Sequence, residues 1–168
     1  MFNGIIVPHR GTMNKVTQTK KPIPVKQGLY KIPASENEEA ALIGCYCPSC
    51  GETFFPKRDI CQNCQSVNLE EITLSRRGKI YSFTIVMQRP ATYYQGIVPY
   101  SFGWVELPEG LRIETLFTEC DLDDLFLGME VEMVLDRLHE EKDNQVVCHK
   151  FRPIQAKENS ATGDTMGQ

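Results

Sequence analysis

The sequence predicts a mainly β protein in two parts, a cysteine-knuckle ribbon followed by a five-stranded OB-fold barrel. Three observations carry that prediction. Two Cys-x-x-Cys pairs, Cys47/Cys50 and Cys61/Cys64, stand with ten residues between them in a stretch poor in apolar side chains. Five short β-rich runs separated by turn signals follow, between Glu70 and Pro153. One short helical signal falls between the third and fourth runs, which is the order of a five-stranded OB barrel. A β-sandwich wants about seven strands.

Residues 1–39 read as an extended basic arm. Met1 to Ser35 carries Arg10, Lys15, Lys20, Lys21, Lys26 and Lys31 and no acid, so the remainder of this −4 chain bears a net charge of −10. Pro8, Pro22, Pro24 and Pro33 deny the arm a regular period, and it is expected to be poorly ordered alone. Two readings stand for it, a solvated leader or a segment that orders against an acidic partner surface or a phosphate-bearing ligand. Residues 40–70 form the ribbon and residues 71–153 the barrel. Residues 154–168, with Gly, Ser, Thr and Asn in no period, are expected to be a disordered tail.

Within the barrel, Lys79 to Gln88 alternates, placing Ile80, Ser82, Thr84 and Val86 on one face and Tyr81, Phe83, Ile85 and Met87 on the other. Ser101 to Leu107 and Leu111 to Thr118 are two further strands joined by the turn Pro108-Glu109-Gly110. Asp121 to Leu127 reads as one or two helical turns, with Asp121 as N-cap and Gly128 as terminator. Glu130 to Arg137 and Gln145 to Phe151 complete the set, joined around Lys142-Asp143-Asn144.

The composition narrows the function classes. Of 168 residues, 41% are hydrophobic and 24% charged, the balance of a globular protein of one ordinary domain or two small ones. No apolar run approaches the roughly 18 residues of a membrane helix, and Met1 to Val7 lacks the charged region and cleavage site of a secretory signal. A reducing, cytoplasmic setting is expected. Seven cysteines in such a setting point to metal ligation rather than disulfides.

Cys47, Cys50, Cys61 and Cys64 supply four thiolates from two tight turns, the ligand set of a tetrahedral Zn²⁺. Gly51 suits the left-handed position after the first turn, whereas the second turn has Gln65 there, which leaves its geometry open. Four cysteines complete the coordination sphere, so one structural zinc per chain is expected, with no position for an activated water. Some thirty residues cannot bury enough surface to fold without such a staple. Phe54, Phe55, Ile60 and Leu69 are the apolar residues available to pack around it. Cys45, two residues before Cys47, is either a competing ligand, a redox thiol or a non-ligating thiol on the preceding strand. Cys120 and Cys148 read as small buried hydrophobes. His149 follows Cys148 directly, and strand neighbours point to opposite faces, so the two make a poor catalytic pair. No phosphate loop, nucleophile elbow or His-Glu-x-x-His helix is present, and no catalytic residue is assigned. The loop Met87 to Gly96 is unusually aromatic. Arg89 there can grip a phosphate or carboxylate, and Tyr93 and Tyr94 offer amphipathic contact area for a partner or a CoA ester.

These residues resemble a known family. Cys47-Pro48-Ser49-Cys50-Gly51, Phe55-Pro56-Lys57-Arg58 and Cys61-Gln62-Asn63-Cys64 are similar to rubredoxin-like zinc-ribbon plus OB-fold accessory proteins of acyl-CoA enzymes. The likeness continues through Gly78-Lys79-Ile80-Tyr81-Ser82-Phe83-Thr84, Pro99-Tyr100, Val105-Glu106-Leu107, Gly128-Met129-Glu130-Val131 and Phe151-Arg152-Pro153. The family's N-terminal helical hairpin is replaced here by the basic arm. The resemblance implies a non-catalytic subunit in a hetero-oligomer with a thiolase-like catalytic subunit, hydroxymethylglutaryl-CoA synthase or hydratase, close to the CoA-ester site. Arm and ribbon look most like the small zinc-finger subunits of benzoylsuccinyl-CoA thiolases of anaerobic toluene degradation, which implies thiolysis of benzoylsuccinyl-CoA to benzoyl-CoA and succinyl-CoA by the partner.

Two other classes share the architecture. A zinc-ribbon/OB-fold nucleic-acid-binding protein should show a basic groove with interleaved aromatics. Here the barrel region is acidic, with Glu106, Glu114, Glu119, Asp121, Asp123 and Asp124 close in sequence. Iron in the four-cysteine site would make an electron carrier, and its visible colour would reveal it.

Overall fold

The computed structural model describes residues 21–33, 38–90 and 96–154. Arm positions 1–20, loop residues Tyr93 and Tyr94, and the tail from residue 155 lie outside them. Among the described residues ten strands follow in order: β1 (Lys21–Pro24), β2 (Tyr30–Lys31), β3 (Ala41–Tyr46), β4 (Thr53–Phe54), β5 (Glu70–Thr73), β6 (Arg77–Val86), β7 (Tyr100–Glu106), β8 (Arg112–Phe117), β9 (Glu130–Glu141) and β10 (Asn144–Pro153).

The barrel is β6 to β10. β6 pairs with β7 and β7 with β8, both antiparallel; β8 then meets β10 in parallel through Leu116↔Lys150 and Phe117↔Phe151. β10 forms a long antiparallel hairpin with β9, and β9 returns to β6 through Arg77↔Glu132 to Lys79↔Glu130, closing the ring. This is the OB topology. Its interior is lined by Ile80, Val105, Ile113, Val131, Met133, Val147 and Phe151, each 2% exposed or less. Burying such a side chain contributes about 1.5–3 kcal/mol.

The strict alternation expected of β6 fails at one point. The register with β7 shifts between Ile80 and Ser82, so Tyr81 is an extra residue. Ile80 and Phe83, expected on opposite faces, therefore both serve the core. Gly103 lies opposite Phe83 at this bulge, and a Cβ there would stand 2.1 Å from the Ser82 carbonyl oxygen, so only glycine lets the two strands approach. The expected helical turns shrink to one 3₁₀ turn, Leu122–Asp124, and Asp121 makes no side-chain cap bond. Leu125 dips into the core while Phe126 and Leu127 remain exposed.

In the ribbon, β3 pairs with β4 and β5, and β5, which begins at Glu70, runs across the expected boundary between residues 70 and 71. The arm supplies two strands. β1 lies parallel along β10 from Lys21↔Asn144 to Pro24↔Val147, and β2 pairs with β3 through Tyr30↔Leu42. Proline is tolerated in β1 because it lies at the edge of the sheet. Tyr30 joins the pieces: its hydroxyl accepts from the Val25 N–H at 3.1 Å and donates to the Val147 carbonyl. Tyr30, Leu42 and Leu74 share one apolar cluster with the barrel core. Among the described residues, no helix is long and apolar enough to cross a membrane.

Candidate metal centre

The two cysteine turns follow the same backbone path. In the first, the Cys47 N–H donates to the Glu52 carbonyl at 2.8 Å and the Gly51 N–H donates to the Cys47 carbonyl at 2.8 Å. In the second, the Cys61 N–H donates to Ser66 and the Gln65 N–H to Cys61, both at 2.9 Å. Gly51 has φ +77° and Gln65 φ +62°, so both turns close through the left-handed region. The open question about the second turn is answered: Gln65 takes the conformation glycine takes in the first, at a cost of about 1–2 kcal/mol.

This path brings Cys47, Cys50, Cys61 and Cys64 together. Their sulfurs all lie within 4.8 Å of one another, with Cys47–Cys64 at 3.6 Å and Cys50–Cys61 at 3.5 Å. A tetrahedral ion with metal–sulfur bonds of about 2.3 Å separates its ligands by roughly 3.8 Å, so the set fits a metal of that size. None of the four is in a disulfide. Cys47 and Cys61 are fully buried, Cys50 half-buried and Cys64 exposed, which places the site at the tip of the ribbon with one side toward solvent. The Cys64 N–H also points at the Cys61 sulfur at 3.4 Å, the kind of contact that spreads thiolate charge. The four-cysteine cluster suggests a structural metal.

Cys45 stands apart from this cluster. It is 2% exposed on β3, and its sulfur accepts the Arg58 N–H at 3.3 Å. Ile60, expected to pack near the metal, is instead 54% exposed, and Phe55 turns toward the barrel and meets His149. Cys120 is half-buried and Cys148 buried; burial, with Asp121 and Asp124 beside Cys120, pushes both thiols up to about 11. Cys148 lies opposite Asp136, while the His149 ring packs against Tyr30 and Phe55, so the two neighbours do face different surroundings.

Arg89 is exposed three residues past the end of β6; Tyr93 and Tyr94, expected to act with it, lie outside the described residues. A surface that the sequence reading passed over lies on the outer side of β6 to β8. The Arg112 guanidinium stacks 3.6 Å from the centre of the Tyr81 ring and bonds Glu106 at 3.3 Å. Trp104, 40% exposed, stands on the strand between them. The signal was available: Val105 must face inward, so Trp104, the one tryptophan of the chain, must face out.

Comparison with known proteins places both units in one family. Residues 38–70 match the family described as ChsH2, rubredoxin-like zinc ribbon domain, and residues 71–136 match ChsH2, C-terminal OB-fold domain. A DUF35 domain-containing scaffold protein of Methanocaldococcus jannaschii is 38% identical over 121 residues, 70% of this chain and 85% of that protein. A benzoylsuccinyl-CoA thiolase subunit BbsA of Geobacter metallireducens is 37% identical over 115 residues, 67% of this chain and 75% of that protein. Among solved structures, the Ltp2-ChsH2(DUF35) aldolase aligns with TM-score 0.54 and 27% identity over 67% of this chain and 84% of that one.

Proposed function

The chain belongs to the ChsH2/DUF35 family of zinc-ribbon plus OB-fold proteins, and from that premise we propose that it is a non-catalytic accessory subunit of a thiolase-type acyl-CoA enzyme. The observation that carries the reading is the likeness across ribbon and barrel together to proteins named as scaffolds and as a thiolase subunit. The chemistry of the chain is consistent with it. Among the described residues, the one cluster able to hold a metal is the four-thiol set, which leaves no open position for a substrate or an activated water.

In this reading Cys47, Cys50, Cys61 and Cys64 hold one Zn²⁺. The ion supplies cross-linking of the two turns, which ties a short ribbon that lacks a core of its own. The partner supplies the nucleophile and the acid/base groups. Arg89, with Tyr93 and Tyr94, contacts the partner or its CoA ester, and the Tyr81–Arg112–Trp104 face adds an aromatic and cationic contact surface. The finer reading is that the partner cleaves benzoylsuccinyl-CoA with CoA, supported by the BbsA likeness.

The test is reconstitution with the candidate thiolase-type subunit, following complex formation by size and thioester cleavage with benzoylsuccinyl-CoA. The isolated chain should leave the thioester intact, the two should form a complex of fixed ratio, and thiolysis should appear or rise on mixing. Arg89→Ala should raise KM or weaken assembly without altering the fold. Cleavage by this chain alone, or a thiolase fully active and unbound in its presence, would overturn the proposal. An intact complex inactive on benzoylsuccinyl-CoA but active on another acyl-CoA would overturn only the substrate.

A further inference from the structure

His149 sits where three parts of the chain meet. It belongs to β10 of the barrel, and its ring centre lies 6.1 Å from that of Tyr30 in the arm and 5.9 Å from that of Phe55 in the ribbon, in edge-on geometries of 64° and 87°. From β8, the Glu114 carbonyl oxygen stands 3.1 Å from Nε2. A carbonyl only accepts, so Nε2 carries the proton of the neutral ring and Nδ1 carries the lone pair. Nδ1 is buried and has no hydrogen-bond partner. The ring as a whole is half-buried, but protonating it creates an N–H at Nδ1, an atom shut off from solvent and offered no acceptor, which is costly.

The surrounding groups leave this ring as the element that changes charge near neutral pH. Burial holds the His149 pKa below the ordinary 6.5, against the opposing pull of the Glu114 carbonyl and carboxylate on β8. The Tyr30 phenol is pushed up to about 12 by burial and stays neutral, its hydroxyl committed to Val25 and Val147. Phe55 brings no charge. On β10 itself, Lys150 is committed to Asp136 and the Arg137 carbonyl, and the Cys148 thiol is held protonated by burial.

We propose that His149 is a pH-sensitive latch: the neutral ring seats the arm and the ribbon on the barrel, and protonation unseats Tyr30 and Phe55 while the barrel strands stay paired. The sign follows from linkage. The unfolded or released state binds the proton more readily, so the latch is whole above about pH 6.5 and weakens as pH falls through that value, with no further loss once the native ring has titrated.

The experiment uses the full-length, zinc-loaded chain and hydrogen–deuterium exchange at pH 7.5 and 5.8, corrected for intrinsic rates. The Val25 amide, bonded to the Val147 carbonyl and the Tyr30 hydroxyl across the seam between arm and barrel, should exchange faster at the lower pH, by up to about fivefold, with β6 to β8 unchanged. His149→Phe keeps the aromatic contacts and should remove this pH dependence. Zinc is counted in every sample, because acid release of the metal would loosen wild type and variant alike. Equal pH dependence in the two proteins overturns the latch. Should the variant fail to fold, an NMR titration of the wild-type ring decides. A midpoint below 6.5 shared by the Tyr30 and Phe55 resonances supports the latch. A midpoint at or above 6.5, or Tyr30 and Phe55 signals unmoved through it, overturns it.

Discussion

Glu109 accepts the backbone N–H of Ser75 through Oε1 at 2.6 Å, so the β7–β8 turn of the barrel grips the linker that leads out of the ribbon. The neighbouring linker groups are held as well. The Leu74 N–H donates to the Leu42 carbonyl at 3.0 Å, and the Arg76 carbonyl accepts from Met133 at 2.7 Å. Three consecutive residues are thereby fixed, one to the ribbon and two to the barrel. Charged acceptors make hydrogen bonds contributing about 1.5–3 kcal/mol. Glu109→Ala should lower stability by about that amount, seen as a fall in the urea midpoint at constant slope, and should speed exchange at Ser75. A midpoint unchanged within error would show that the linker does not need this grip.

Lys150 and Asp136 form a 2.7 Å ion pair between β10 and β9, with side chains only 10% and 18% exposed. The pair is well bonded: Asp136 also accepts from the Arg137 N–H at 2.7 Å, and Lys150 donates to the Arg137 carbonyl at 2.9 Å. Removing one partner strands a charge and costs about 3–5 kcal/mol, whereas replacing both with apolar residues is often close to neutral. Lys150→Met should therefore destabilise strongly, and adding Asp136→Leu should restore much of the loss. A double variant as unstable as the sum of the two singles would remove the argument.

The alkaline limb of stability has a defined sign. Burial raises Cys120 and Cys148 from 9.0 to about 11 and Tyr30 from 10.0 to about 12. In each case the folded state holds its proton longer than the unfolded state, so stability is whole below about pH 9 and falls as pH rises toward 11 and beyond. Melting temperatures from pH 8 to 10.5 should decline in wild type, and Cys148→Ala should make the decline shallower. An unchanged slope would show that Cys148 titrates normally.

What was legible in the sequence was local or periodic. The cysteine turns declare themselves because each bonds to itself within six residues, from Cys47 to Glu52 and from Cys61 to Ser66. The barrel strands declare themselves because Ile113, Val131, Met133 and Phe151 must face inward. The arm was half legible. Within its described residues the strands Lys21–Pro24 and Tyr30–Lys31 are extended, but the docking of the first depends on Asn144 to Val147, more than a hundred residues away, which no local pattern can signal. The Tyr81 bulge was hidden for a related reason: an inserted residue breaks register only relative to the opposite strand, and the close approach of Gly103 is what accommodates it. Asp121 to Leu127 read as helical turns because Asp121 offers a cap and Gly128 a terminator, yet Asp121 makes no cap bond and, of Leu125, Phe126 and Leu127, only Leu125 is buried deeply enough to anchor the segment.

The metal centre supports a prediction that separates ligands from bystanders. Cys61 is fully buried, its sulfur lies 3.5 Å from Cys50, and it accepts the Cys64 N–H, so it is central to the cluster. Cys45 is equally buried but bonds the Arg58 N–H and stands outside the four-sulfur set. Serine in place of a ligand leaves three thiolates and a harder oxygen, and structural zinc in short ribbons contributes most of the folding free energy. Cys61→Ser should therefore purify with well under one zinc per chain and lose protection of the ribbon amides, while the barrel strands stay folded. Cys45→Ser should retain one zinc, because its change is confined to packing on β3, and should melt somewhat earlier than wild type. Elemental analysis of the two variants decides: loss of zinc from Cys45→Ser, or a full complement in Cys61→Ser, would mean that the ligand set has been misassigned.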